Sequence, residues 1–319
     1  MIDSVFRSDA GAVEVMREYR AVLDHWPVPR QEIELPTSQG ATFVLACGPE
    51  EAPPVVLLHG AQANSAAWLP DIALWSSRFR LYAVDMIGEA GLSARVRPPL
   101  IDDTYAMWLD DVFTGLGLAR AALVGTSLGG WLALDYAMRR PSRASALALI
   151  CPAGIGRQKN FLLAVAPYLL LGSWGKRKIF EKVFGPAPKH LPADLEAISG
   201  LMDSIGRSIK PRAIKIPRLS DASLEAFPMP ILAIAGGRDA LIDSYDTRAR
   251  LKRHVPHAEV CFVEEGYHFL PDQSQRVFDF LVRSLEGHDT QTCHDSKSCA
   301  ASDEVTASRD ALSTKPTTT

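Results

Sequence analysis

The stretch Ala121-Ala122-Leu123-Val124-Gly125-Thr126-Ser127-Leu128-Gly129-Gly130 decides how the rest of the chain is interpreted. Its apolar start is typical of a strand buried on both faces, and the Gly-x-Ser-x-Gly pattern that follows opens a helix. A serine at such a junction has a strained backbone that presents its hydroxyl above the sheet edge, between small neighbours. The stretch therefore predicts a nucleophilic Ser127. The alternative, a glycine-rich turn with an incidental serine, is disfavoured by the apolar helical segment 131–134.

Short apolar runs of the same kind recur along the chain. They do not alternate with polar residues, which is typical of parallel strands covered by helices. Helical segments such as 104–116 and 128–139 lie between them, so the order predicts an α/β fold with a mostly parallel sheet flanked by helices. Segments 33–35 and 41–47 predict an antiparallel pair joined by a turn. The apolar runs occupy residues 55–58, 81–84, 121–124, 147–150, 231–234 and 260–263.

Four regions are predicted. Residues 1–30 form an amphipathic helix, and residues 31–156 with 227–286 form the α/β core. Residues 157–226 are too long for one crossover helix and are punctuated by prolines, which predicts an inserted helical cap. Residues 287–319 contain 12 Ser or Thr and little apolar material, which predicts a disordered tail. The inward face of the N-terminal helix is expected to hold Val13, Met16, Val22, Leu23 and Trp26.

The partners of a nucleophilic serine are a base and an acid that fixes the tautomer of the base. Asp239 follows an apolar run, at the carboxyl end of a parallel strand, where ligands bind in open α/β sheets. His268 lies on the loop after the last strand. The chain order Ser127, Asp239, His268 is that of the nucleophile-elbow arrangement. Asp243 and Asp246 stay open as alternatives for the acid because they lie close to Asp239 in the chain.

Two backbone N–H groups are needed to stabilise a developing oxyanion. Leu128 is one predicted donor, because it follows the nucleophile at the start of a helix. Ala61 is the other, on the loop His59-Gly60-Ala61-Gln62 that follows the run 55–58. His59 is predicted to tie this loop together rather than to act as a base.

In this order, the motifs resemble those of the α/β-hydrolase superfamily, within the branch of small serine carboxylesterase-like enzymes. The resemblance covers residues 31–286. It rests on Leu-Leu-His-Gly at 57–60, the segment 85–93, Gly-Thr-Ser-Leu-Gly-Gly at 125–130, Gly-Gly-Arg-Asp at 236–239 and Gly-Tyr-His-Phe at 266–269.

The resemblance implies an α/β-hydrolase fold with Ser127 as nucleophile, Asp239 as acid and His268 as base, and with Ala61 and Leu128 as oxyanion donors. Segment 85–93 departs from the common Asp-x-x-Gly-x-Gly-x-Ser pattern by one additional residue, which we expect to change the shape of a loop near the site.

The predicted function is cleavage of a carboxylic ester through an acyl-enzyme on Ser127. A serine at this position disfavours the branches that use an aspartate nucleophile, such as haloalkane dehalogenases and epoxide hydrolases. A thioesterase or a C–C bond hydrolase would use the same triad, and a non-catalytic ligand receptor on the same scaffold stays open as a third interpretation.

Composition excludes several other classes. The chain has 319 residues, 47% hydrophobic and 22% charged, with a net charge of -3, so bulk charge favours neither nucleic acid nor an anionic membrane as a partner. We expect no membrane span, because the longest apolar run, 161–172, is short and contains Pro167. Five scattered cysteines and the lack of a secretory signal favour a cytoplasmic protein with reduced thiols.

The predicted cap carries the information about substrate. It has 12 Lys or Arg against 6 Asp or Glu, which either favours an anionic ester or reflects solvated helix faces. The apolar segment 161–171 is expected to pack the cap onto the core, with an acyl pocket as the alternative. We expect a small ester substrate, hydrophobic or anionic, and no cofactor or metal, because Cys293, His294 and Cys299 are too few ligands for a metal site.

Overall fold

One eight-stranded sheet organises the chain, in the order β1-β2-β4-β3-β5-β6-β7-β8. The computed structural model describes residues 5–186, 193–212 and 215–286. The predicted tail, with Cys293, His294 and Cys299, lies outside the described residues. The strands are β1 Arg30–Thr37, β2 Gly40–Cys47, β3 Pro54–Leu58, β4 Arg80–Val84, β5 Ala121–Thr126, β6 Ala144–Ile150, β7 Ile231–Gly236 and β8 Glu259–Val263.

Ten α-helices accompany these strands in the described ranges. The predicted helices at 104–116 and 128–139 are present, the first ending one residue earlier than expected. The helices are α1 Asp9–Leu23, α2 Leu69–Trp75, α3 Thr104–Gly115, α4 Leu128–Arg139, α5 Phe161–Leu169, α6 Gly172–Phe184, α7 Ala193–Ser208, α8 Asp221–Glu225, α9 Ser244–His254 and α10 Ser274–Glu286.

The sheet is parallel from β4 to β8, while β1 pairs antiparallel with β2 and β2 with β4. The chain leaves β3 toward β4 on one side and leaves β5 toward β6 on the other. The loops after β3 and β5 therefore diverge, which opens a crevice above the carboxyl ends of these two strands. Ligands bind at such a switch point in open α/β sheets.

Both faces of the sheet are buried, as the uninterrupted apolar runs predict. Alternate residues of β3 point to opposite sides, so that Val55 and Leu57 join one apolar cluster and Val56 and Leu58 the other. One face is covered by α1, α2 and α10, and the other by α3, α4, α8 and α9. This burial fixes the position of the strand ends that carry the site.

The N-terminal helix α1 packs into the core, but one part of its predicted inward face is wrong. Val13 is 69% exposed. The buried stripe instead runs through Ala12, Val15, Tyr19 and Val22 at alternating spacings of three and four residues, which is the period of one helix face. Leu23 and Trp26 are buried as predicted, and Met16 packs against the cluster while partly exposed.

Helices α5 to α8 occupy the predicted cap region. The expectation that segment 161–171 packs the cap onto the core is largely wrong. Val165 is buried, but Leu163 is 74% and Leu170 is 91% exposed. Other residues of this region contact the rest of the chain, among them α7, which packs against α1, and Ile209, which forms a bridge with Phe6. None of the described helices is long and apolar enough to cross a membrane.

Candidate active site

The backbone at Ser127 has φ of 51° and ψ of -109°, in the left-handed half of φ space that non-glycine residues avoid. The turn is possible because its neighbours lack side chains. A Cβ on Gly125 would overlap the Gly129 carbonyl, and one on Gly129 would overlap the Leu58 carbonyl. The chain therefore turns from β5 into α4 against β3, with Ser127 at the apex.

Three residues from separate loops meet at this apex. The Ser127 hydroxyl oxygen lies 2.9 Å from Nε2 of His268, and Nδ1 of the same ring lies 2.7 Å from Oδ2 of Asp239. A ring that donates from Nδ1 to a carboxylate presents Nε2 as an acceptor, which is the tautomer that a base for a serine hydroxyl requires. In this arrangement His268 can remove the proton of the Ser127 hydroxyl while the Ser127 oxygen attacks an electrophile.

Backbone N–H groups of the loop after β7 orient the carboxylate of Asp239 toward His268. Its Oδ1 accepts the N–H groups of Leu241 and Ile242, at 2.7 and 2.9 Å, which leaves Oδ2 directed at His268. The alternative acids have other partners. Asp243 caps α9 by accepting the N–H of Asp246, and Asp246 accepts the N–H of Arg157. In the structure the acid facing His268 is therefore Asp239.

The predicted oxyanion donors, Ala61 and Leu128, lie at the same cavity as Ser127. The N–H of Leu128 belongs to the first turn of α4, where backbone donors lack partners within the helix. His59 is fully buried, accepts the Met86 N–H at Nε2 and contacts the Gly60 carbonyl through Nδ1. The prediction that His59 ties this loop together is confirmed by these contacts.

A cavity of about 210 Å³ opens in front of Ser127. Its apolar wall comes from the core and from the cap region, including Leu128, Phe161 and Ile216. Phe161 is thus the one residue of the apolar segment 161–171 that lines the cavity, among the residues described. The polar wall is formed by Gln158, Lys159 and Arg212 in addition to Ser127.

An ion pair that the sequence did not reveal connects this cavity to the oxyanion loop. Glu89 and Arg212 have side chains that are 0% and 4% exposed, and Nε and Nη2 of Arg212 lie 3.2 Å from Oε1 of Glu89. The other carboxylate oxygen of Glu89 accepts the Gln62 N–H at 2.8 Å. Gln62 follows Ala61 and has φ of 55°. Glu89 therefore braces the loop that carries Ala61, a predicted oxyanion donor.

The sequence could have pointed to Glu89 as a residue of the site, because it is a charged residue in an apolar, glycine-rich stretch. It belongs to segment 85–93, the one in which the chain departs from the common pattern. Asp85 in the same segment is an anchor of the fold, because it is fully buried and accepts bonds from Tyr19 and Ser65. Burial and the neighbouring Asp85 raise the pKa of Tyr19 well above its usual value.

The cap region also contacts the triad directly. The His268 backbone N–H donates to the carbonyl of Val183 near the end of α6, at 3.1 Å. The Lys159 ammonium donates to the Asp239 carbonyl at 2.6 Å. The loops that carry His268 and Asp239 are thus both attached to residues between β6 and β7.

One cluster among the described residues brings three metal-ligating atoms together. It consists of Cys151, Asp239 and His268, whose ligand atoms lie within 4.8 Å of one another. Burial, together with the charge of Asp239, raises the pKa of the Cys151 thiol. Asp239 and His268 are already bonded to each other. The geometry suits a triad better than a metal site.

Comparisons with known proteins agree with this fold and geometry. Residues 55–280 match the model of the alpha/beta hydrolase family. The chain is 32% identical to the carboxylesterase nap of Bacillus subtilis, over 82% of this chain and 88% of that protein. It is 31% identical to the carboxylesterase YbfK of the same organism, over 88% and 98% of the two chains. The chain belongs to the alpha/beta hydrolase family.

Solved structures give the same result. The crystal structure of carboxylesterase CesB (YbfK) from Bacillus subtilis superposes with a TM-score of 0.74 at 29% identity, covering 87% of this chain and 99% of that one. The naproxen esterase, carboxylesterase NP, from the same organism gives a TM-score of 0.73 at 29% identity, with coverage of 86% and 98%. These relatives confirm the predicted family, fold and carboxylesterase-like class of enzyme.

Proposed function

We propose that this protein hydrolyses a carboxylic ester through an acyl-enzyme on Ser127. The observation that carries the proposal is the continuous hydrogen-bond chain from Asp239 through His268 to the Ser127 hydroxyl, at the wall of a cavity. Two relatives that are more than 30% identical over most of their length are named carboxylesterases, which supports the ester as the bond that is cleaved.

In the first half of the reaction, the Ser127 oxygen attacks the ester carbonyl while its proton passes to Nε2 of His268. Asp239 stabilises the imidazolium that forms, because its carboxylate bonds to Nδ1. The negative charge on the former carbonyl oxygen is received by the backbone N–H groups of Ala61 and Leu128. Collapse of this intermediate breaks the ester C–O bond, and His268 returns the proton to the departing alcohol.

In the second half, water takes the place of the alcohol. His268 removes a proton from the water, whose oxygen attacks the acyl carbon on Ser127. The second tetrahedral intermediate uses the same oxyanion donors. Proton return to the Ser127 oxygen then releases the carboxylic acid and restores the enzyme.

The cavity supports a small ester as substrate, hydrophobic or anionic. Its volume of about 210 Å³ is below the range of about 300–1,000 Å³ that holds drug-sized ligands. Leu128, Phe161 and Ile216 supply apolar surface, and Lys159 and Arg212 supply positive charge. We also propose a cytoplasmic location, which is supported by the free, buried thiols of Cys47 and Cys151 in the described part of the chain.

The experiment that tests the function compares Ser127→Ala with the wild type on 4-nitrophenyl esters of short acids. We expect kcat to fall by about three orders of magnitude or more. Ser38→Ala is the matched control, because Ser38 is exposed in the turn between β1 and β2 and its side chain makes no described hydrogen bond. Undiminished turnover in Ser127→Ala would contradict the proposal.

Acyl thioesters and diketones, measured in the same assay series, separate the reaction classes. Highest kcat/KM for the oxygen esters supports the proposal, whereas a clear preference for either other series would assign the triad to that reaction. Binding of these compounds without turnover by the wild type would indicate a receptor.

A further inference from the structure

We propose that Arg212 forms an anion-binding subsite beside Ser127, and that the physiological substrate is a small ester carrying a carboxylate. This inference rests on the proposed function, since it specifies the substrate of the same site. It is carried by the unused hydrogen-bonding capacity of a buried guanidinium at the cavity wall.

The guanidinium of Arg212 is held in place from one side. Nε and Nη2 bond to Glu89, and Nη2 also donates to the Tyr105 hydroxyl at 2.8 Å. Burial raises the pKa of Tyr105, which therefore stays neutral at physiological pH and receives this bond as a phenol. The guanidinium also lies over the Tyr105 ring, 5.7 Å from its centroid. These contacts fix the plane of the fork before any ligand arrives.

The remaining nitrogen, Nη1, is buried and has no hydrogen-bond acceptor within the described part of the chain. Such a group is unusual, because a buried donor without a partner destabilises the folded state, and a charged donor does so more strongly. Arg212 belongs to the cavity wall, and its side chain is only 4% exposed. An acceptor oxygen supplied by a ligand would satisfy Nη1.

The charge around the cavity favours a carboxylate over a neutral acceptor. Arg212 and Lys159 both line it, and no Asp or Glu does so among the described residues. Glu89 is fully buried and outside the wall, bonded to the other nitrogens of Arg212 and to Gln62. A carboxylate accepts strong, charge-assisted bonds from a guanidinium, whereas a carbonyl or ether oxygen gains less.

The size of the cavity restricts the substrate further. Ser127 and Arg212 both line the cavity of about 210 Å³, which leaves room for a short chain between the ester and the anion. The monoester of a short dicarboxylic acid, or an ester of a short hydroxy acid, meets these conditions. Arg212 is a binding residue in this scheme, because it contacts the substrate away from the reacting carbonyl.

Matched pairs of esters test the subsite in the wild-type enzyme. In one pair 4-nitrophenol is esterified to glutaric acid, and the free carboxylate is either retained or replaced by a carboxamide. In the second pair an acetate ester carries the carboxylate or carboxamide on its alcohol side. We expect kcat/KM to favour the charged member of one pair by about ten-fold or more. Equal or lower values for both charged members would overturn the inference.

Variants then assign the preference to Arg212. The double variant Glu89→Gln with Arg212→Met removes the buried pair without leaving one charge unpaired, and we expect the charged-to-neutral ratio to fall to about one. Glu89→Gln alone keeps the guanidinium and is expected to keep the preference. Arg207→Met removes an exposed cation of α7 and is the control for net charge. A preference that survives in the double variant would contradict the role of Arg212.

A binding measurement separates failure of the subsite from failure of the proposed function. Calorimetry on Ser127→Ala, which has no nucleophile, reports the affinity for the charged and neutral esters without turnover. We expect the charged ester to bind about ten-fold more tightly, and this difference to vanish when Glu89→Gln and Arg212→Met are added. A retained difference in an enzyme that hydrolyses no ester would support the subsite and contradict the esterase. Turnover with no difference in rate or binding would contradict the subsite alone.

Discussion

Ser127 holds a conformation that costs about 1–3 kcal/mol for a residue with a side chain. Backbone bonds on both sides hold it in place. The Ser127 N–H donates to the Ile150 carbonyl at 3.0 Å, and the Ser127 carbonyl accepts the N–H groups of Trp131 and Ala153 at 3.0 and 3.1 Å. Because β6 and α4 both contribute, Ser127 is held in place by the fold rather than by its own loop.

Asp239 and Asp243 lie four residues apart, and the structure predicts a large loss of activity when asparagine replaces the first and almost no change when it replaces the second. Asp239→Asn should lower kcat by about three to four orders of magnitude, because an amide no longer holds His268 in the tautomer that accepts the serine proton. Asp243→Asn should leave kcat within about two-fold, since asparagine is also a good N-cap for α9. Steady-state kinetics on both variants, with circular dichroism to check folding, decides which carboxylate is the acid.

The Asp71 carboxyl in α2 provides a prediction about pH. Burial raises its pKa to about 6, from about 3.9 in an unfolded chain. The folded state therefore binds this proton more tightly, and stability is lost as the pH rises through 6. Urea unfolding should show that the free energy of unfolding of Asp71→Asn, relative to that of the wild type, rises by roughly 2 kcal/mol from pH 4 to pH 7. A difference that does not change with pH would contradict this assignment.

At the scale of elements, the crossing of β3, β5 and α4 is the closest approach that positions the site. It depends on two residues without side chains, Gly125 and Gly129, because an added Cβ would overlap backbone atoms that have no freedom to move. In α7, by contrast, an added Cβ has space. Gly200 in α7 has no atom within 4 Å of an added Cβ.

This contrast predicts opposite effects for two glycine-to-alanine substitutions. Gly129→Ala should lower the free energy of unfolding by about 3 kcal/mol or more, through overlap with the Leu58 carbonyl. Gly200→Ala should raise it by roughly 0.5–1 kcal/mol, the usual gain for alanine inside a helix. Urea unfolding of the two variants tests the comparison. An unchanged free energy of unfolding in Gly129→Ala would contradict the close packing of α4 against β3.

At the scale of the whole molecule, the site is assembled from the loops after β3, β5, β7 and β8 and is closed by residues between β6 and β7. The strand order alone brings the first four together, since parallel strands end at the same edge of the sheet. The closing contacts come from the Lys159 and Val183 bonds to the Asp239 and His268 loops. A substrate therefore meets the core and the cap at once.

The sequence predicts the fold well because buried parallel strands leave continuous apolar runs, and these coincide with six of the eight strands. It also suggests the triad, because Ser127, Asp239 and His268 each follow such a run. The ion pair between Glu89 and Arg212 could not be predicted from the sequence. These residues are 123 positions apart, and their contact depends on how the cap region folds over the sheet. The predicted inward face of α1 was wrong at Val13 for a similar reason, because the elements that pack against α1 decide which stripe of the helix is buried.

The proposed reaction requires Ser127 to carry the acyl group during turnover. The most direct test is acid quenching during hydrolysis of 4-nitrophenyl acetate, followed by peptide mass spectrometry. We expect one acetyl group on the peptide that contains Ser127, its absence in Ser127→Ala, and loss of turnover in that variant. Steady turnover by the wild type with an acetyl group on another residue, or undiminished turnover by Ser127→Ala, would contradict it.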